Sequence, residues 1–272
     1  MRLGFILAMF MVPLLYCAEE KTPKLTGIVY WQNEARALLE LPSKGSDPMR
    51  PILREGEVLT ESGYGVKRID VEMGRVELFQ RGGDSHILHL GLAAGEQLAG
   101  RTIYLRGADL RQVLEVYQEL SGRTVIGSAA MTIVKIDCKS GADLSRELAV
   151  GILTNSLRKV GTIITPVAEK FAVAGTERDG ERVKSLKQPP PSNVPGEEIF
   201  PPGLLKFQEA DSAQVLEIYA ELTGRRVTPP ERARPTKVTV RSQTPLNRRE
   251  AAWVLEASLY MGGVPVWSEH TN

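Results

Sequence analysis

Residues 108–125 (ADLRQVLEVYQELSGRTV) recur at 210–227 (ADSAQVLEIYAELTGRRV), an offset of 102 with no gap. Twelve of the eighteen positions are identical. The offset continues: Leu144 falls on Leu246, Arg146 on Arg248, Ala149 on Ala251, Leu153 on Leu255 and Gly161 on Gly263. This period is too long for a solenoid unit, and roughly 70 residues can hold a small core of their own. The chain carries a duplicated domain.

Within the first copy, Leu110, Val113, Leu114, Tyr117 and Leu120 stand at helical spacing, and Gly122 is a natural stop. Asp109 caps this helix while Gln112 reaches back; the pair returns as Asp211 with Gln214, and the stop as Gly224. Strands are expected at Val125–Gly127 and Thr132–Cys138. A second helix follows over Ser145–Val160, with Leu148, Ile152, Leu153 and Leu157 on one face, then strands Thr162–Val167 and Lys170–Ala174. The unit reads β-α-β-β-α-β-β. The second copy stops early, because Asn272 aligns with Lys170 and nothing matches Phe171–Ala174. Val264, Val266, Trp267 and Ser268 are then a strand without its hairpin partner, and Pro265 among them fits only an edge. Such a strand either frays or forms a partner-binding edge for another chain.

Ahead of the duplication, Thr26–Trp31, Arg36–Leu41, Pro51–Leu53, Val66–Asp70, Arg75–Gln80 and Ser85–Leu90 are β-prone and separated by glycine and turn clusters. Short strands at this spacing predict a small antiparallel β-barrel or sandwich. Between the copies, six of the 17 prolines fall in residues 176–203, which predicts an extended, semi-rigid linker. The expected fold is mixed and multidomain, a β-domain followed by two copies of a small α+β domain. The boundaries are 25–98 for the β-domain, 101–175 for copy one, 176–202 for the linker and 203–272 for copy two.

Met1–Cys17 (MRLGFILAMFMVPLLYC) has one early arginine and then no charge. It reads as a secretory signal, short for a transmembrane helix. Two other readings stand: a retained inner-membrane anchor, and a lipoprotein signal that leaves Cys17 lipidated, although Tyr16 sits where a small residue is usual. All three export the protein. Loss of Arg2 with the leader leaves 33 basic and 33 acidic residues. That balance excludes a diffuse grip on nucleic acid or an anionic membrane surface. Residues 18–100 hold 10 basic and 13 acidic groups, and 101–175 hold 10 and 7, a mild complementarity that can orient domains.

Chemistry is absent at the level of motifs. There is no phosphate loop, metalloprotease helix, nucleophile elbow or EF-hand loop. With one cysteine, Cys138, beyond the leader, neither an internal disulfide nor a cysteine-ligated zinc site is expected. His86 and His89 in one strand point to opposite faces and make a poor metal pair. Cys138 reads as a buried thiol, Asp109 and Asp211 as caps, and Tyr117 and Tyr219 as core. Trp253, where copy one has Gly151, is either core filler or an exposed anchor. No catalytic, cofactor-binding or metal-ligating residue is assigned, and no enzyme is expected.

The segment Tyr104–Ala174 resembles the first periplasmic domain of secretins, the outer-membrane channels of type II secretion and type IV pili. That domain is similar in turn to the signalling domain of TonB-dependent receptors. The matching features are Gly107-Ala108-Asp109, Ser121-Gly122-Arg123, strand Thr124–Ile126, the second helix leading to Gly161 and the closing hairpin. In copy two, Ala210-Asp211, Thr223-Gly224-Arg225 and Gly263 hold the same places, with Glu209 for the glycine. Leu25-Thr26-Gly27-Ile28-Val29, Arg36–Leu39, Pro51-Ile52, Gly56, Val66–Ile69, Val76–Leu78 and Leu88–Leu90 resemble the homology region of the secretion clamp protein and of pilus-assembly lipoproteins. The resemblance implies two helices between two sheets, a binding role, and a β-domain that docks onto the secretin domain. The expectation is a non-enzymatic periplasmic adaptor, with an outer-membrane secretin or inner-membrane platform proteins as partners. Membrane association would come through residues 1–17 or a lipidated Cys17. The alternative implied is a signalling module of the TonB-receptor type.

Overall fold

The computed structural model describes residues 22–31, 34–43, 48–83, 85–90, 101–127, 134–141, 144–186, 189–190, 197–225, 227, 236–264 and 266. The front part forms β1 (Lys24–Trp31), β2 (Glu34–Glu40), β3 (Ile52–Arg54), β4 (Tyr64–Asp70), β5 (Arg75–Gln80) and β6 (Ser85–His89). Next come β7 (Thr102–Asp109), α1 (Leu110–Ser121), β8 (Thr124–Gly127), β9 (Lys135–Lys139), α2 (Arg146–Lys159), β10 (Ile163–Pro166) and β11 (Phe171–Gly175). The remainder holds α3 (Glu177–Lys184), β12 (Ile199–Phe200), β13 (Lys206–Asp211), α4 (Ser212–Thr223), β14 (Lys237–Arg241), β15 (Leu246–Asn247) and α5 (Arg248–Met261). The fold is mixed α/β, with several antiparallel sheets and five helices among the described residues.

No sheet closes into a barrel among the described residues, so the barrel alternative for the front part is set aside. Closure of a barrel removes every edge, and β1 keeps its second edge for another element. It pairs antiparallel with β7, from Gly27 opposite Leu105 to Tyr30 opposite Thr102. The resulting sheet runs β3-β2-β1-β7-β9, and β4-β5-β6 form a separate sheet. Ile28, Leu39 and Leu53 of the first share a core with Val66, Val76 and Leu78 of the second.

Helix α1 starts as its sequence demands: Asp109 accepts from the N–H of Arg111 at 2.9 Å, Gln112 closes the capping box, and Gly122 ends the helix at φ 69°. The apolar stripe of α2 differs from expectation. Ala149, Leu153 and Leu157, four residues apart, are buried, whereas Leu148 is 61% exposed. Position 148 lies about 140° around the helix from the centre of the stripe set by 149, 153 and 157, which turns it to solvent, while Ile152 packs at the stripe's margin. The two helices share a core with Ile103 and Leu105 of β7, and with Val125, Ala172 and Ala174 of the sheet β10-β11-β8.

That sheet is buried on both faces. Alternation along β11 sends Ala172 and Ala174 one way and Phe171 and Val173 the other. The second pair joins Val215, Leu216, Trp253, Leu255, Val238 and Val240 in the core of the second copy. The expected extended linker is corrected in its first part. Residues 177–184 form α3, opened by a capping box between Thr176 and Asp179, with Val183 1% exposed in that same core. The cause is local: no proline occurs between the cap and Pro189, and a capped, proline-free run is free to coil.

Candidate docking interface

The β1–β7 junction is organised around Gln112. Its Oε1 accepts from the N–H of Asp109 at 3.1 Å, which is the cap. Its Nε2 donates to the carbonyl oxygen of Leu39 at 2.8 Å and of Pro51 at 3.4 Å. Thr26 Oγ1 lies 3.3 Å from Gln112 Oε1 and 3.0 Å from the carbonyl oxygen of Leu38. One amide, 1% exposed, thus serves its own helix and binds the front part to it. The backbones also meet closely: a Cβ on Gly27 would lie 2.8 Å from Leu105 Cδ2 and 3.0 Å from the Tyr104 carbonyl oxygen.

Ion pairs frame this centre. Arg36 pairs with Glu119, Lys135 with Glu40 at 2.7 Å, and Arg50 stands 3.4 Å from Glu40 and 3.6 Å from Asp109. The hydrogen bond from Lys135 holds the Glu40 carboxyl below the usual carboxylate range, against the effect of its own burial, and Arg50 adds to this. Burial, then the charge of Arg54, lowers Arg36. The pairs run both ways, since the front part supplies the cation to Glu119 and the anion to Lys135. Local complementarity, rather than the opposite net charges of the two segments, therefore sets the fit.

The two copies are joined by a second set of contacts. Lys170 Nζ lies 3.0 and 3.1 Å from the carboxylate oxygens of Glu250, whose side chain is 1% exposed. Glu250 also closes the Asn247 capping box of α5. The N–H of Gln243 donates to Thr124 Oγ1 at 3.0 Å, Arg241 pairs with Glu115 at 3.0 Å, and Arg111 pairs with Glu209. Trp253 is core: it is 5% exposed, with its ring centroid 5.0 Å from that of Phe171.

Of the residues expected at an open edge, Val264 is 1% exposed, donates its N–H to the Leu259 carbonyl oxygen at 2.9 Å and is not in a strand. Val266 is half-buried against the second core. Trp267, Ser268 and Cys17 lie outside the described residues. Sequence reading found Gln112 as a cap and missed its contacts with the front part. It also missed Arg36, Glu40, Glu119 and Lys135. Their one sequence signal is that three of the acceptor residues return in copy two as Gln214, Glu221 and Lys237.

Nothing described assembles a reactive centre. His86 is half-buried, 6.5 Å from the Tyr64 ring, and His89 is exposed. Cys138 is buried, which pushes its thiol up. Among the described residues, no group of three or more His, Cys, Asp or Glu is placed to hold a metal, and no helix is long and apolar enough to cross a membrane. No protein-family model matches the chain, and no curated protein matches it.

Proposed function

We propose that this chain is a non-enzymatic periplasmic adaptor of a type II secretion or type IV pilus machine. It would hold an outer-membrane secretin or inner-membrane platform proteins by sheet-edge contacts. In this reading the front part is a two-sheet sandwich, and residues 101–175 and 203–272 are two copies of one α+β docking domain. The observation that carries it is the addition of β1 to the edge of β7, locked by Gln112. Strand addition to an exposed sheet edge is a binding mode, and the β1–β7 pairing supports this reading. The leader-like residues 1–17 and the two resemblances support export and the choice of machine. Pull-down from crosslinked envelopes is expected to recover a secretin or pilus component, and deletion to impair secretion or pilus function. Recovery of neither component, or altered transcription with intact secretion, contradicts the proposal.

A further inference from the structure

The two copies differ in what covers them. In copy one, β7 has β9 on one edge and β1 on the other. In copy two, β13 pairs with β14, the counterpart of β9, and no described strand pairs with its other edge. The bulge after Phe207 repeats the one after Leu105, so the two edges share a backbone course.

The side chains that hold the front part in copy one are retained in copy two. Asp109, Gln112, Glu119 and Lys135 correspond to Asp211, Gln214, Glu221 and Lys237. The surroundings of the first two pairs are opposite, whereas Lys135 is exposed as Lys237 is, and Lys237 pairs with Asp211 at 2.7 Å. Asp109 and Gln112 are 3% and 1% exposed, whereas Asp211, Gln214, Glu221 and Lys237 all stand exposed. The apolar floor follows suit: Val116 and Leu120 are buried beneath the front part, while Ile218 and Leu222 are only half-buried. Thr102, 2% exposed opposite Tyr30, is replaced by Leu204 at 62%.

We infer that the free edge of β13, with the adjacent face of α4, is a second strand-acceptor site, filled by a β-hairpin from a different protein. The duplication defines the hairpin's chemistry. Its first strand runs antiparallel to β13, with a glycine or similarly small residue opposite Phe207, because Gly27 opposite Leu105 leaves no room for a Cβ. An arginine meets Glu221, as Arg36 meets Glu119, and a carboxylate meets Lys237, as Glu40 meets Lys135. Stoichiometry argues against a second copy of this chain. Among the described residues each chain has one such hairpin and two acceptor edges, so exchange between chains moves the vacancy without filling it. The inference deepens the adaptor reading but does not depend on which machine is served.

The test titrates the intact chain with a labelled synthetic peptide of residues 23–42, its own β1–β2 hairpin, as surrogate donor. One peptide per chain is expected to bind. Glu221→Lys should weaken binding by about tenfold, and a peptide carrying Arg36→Glu should restore it. No saturable binding, binding indifferent to Glu221→Lys, or binding lost instead with Glu119→Lys overturns the inference. So does self-association of the chain that Leu204→Glu abolishes, which names a second copy as the occupant. Peptide binding is independent of envelope pull-down, so failure of this site and failure of the adaptor reading are separate results.

Discussion

Gln112 and Gln214 occupy the same position in the same capping box, yet only the first is buried against another segment. Gln112→Ala leaves the carbonyl of Leu39 without its donor and should lower stability by about 1–3 kcal/mol. Gln214→Ala, at an exposed cap, should stay within about 0.5 kcal/mol in the same urea titration. The bulge gives a second paired comparison. Glu209 adopts φ 52° where Gly107 has φ 63°, and it is the one non-glycine with positive φ among the described residues. Relief of that left-handed backbone predicts that Glu209→Gly raises stability by about 1 kcal/mol, read as a higher urea midpoint. Glu40 supplies a pH dependence. Its folded carboxyl lies below the ordinary 4.5, so its ion pairs contribute fully above that value and are lost as pH falls on through the lower folded value. Urea midpoints of wild type and Glu40→Gln should differ at about pH 7, and the difference should shrink as the pH is taken progressively below 4.5.

At the scale of elements, strands and helices were legible wherever a local period or cap specified them. The six front strands and the capping box of α1 followed directly from alternation and from Asp109 with Gln112. The barrel alternative failed because closure depends on which element takes the second edge of β1. That element, β7, lies far along the chain and carries no local mark of the pairing. Helix α3 was hidden in a proline-rich composition, although Thr176 and Asp179 already spelled its start. The docking site was legible only in part: duplication marks Gln112 as recurrent, but a cap explains the recurrence without any partner. The packing of one copy on the other was likewise invisible, since Phe171 read only as part of a closing strand and Trp253 as either core filler or an exposed anchor. Truncation of Trp253 to Ala should destabilise the chain by about 3–5 kcal/mol. The near-ultraviolet dichroism of the folded state should weaken with it.

As a whole molecule, the chain stacks the front sheets, α1 and α2, the sheet β10-β11-β8, and then the helices of copy two through shared cores. Such continuity argues against copy two swinging freely at the end of a spacer. The buried Glu250 carboxylate with Lys170 reinforces this, since an unpaired buried charge is strongly unfavourable. What distinguishes the two copies is access: one acceptor edge is filled within the chain, and no described strand fills its counterpart. The most direct test places a photo-crosslinking amino acid at position 112 or at position 214 in the full chain within its native envelope. The account predicts that position 214 crosslinks to a secretin or pilus component, while position 112 yields only products within the chain. Intermolecular products from position 112, or none from position 214, would contradict it.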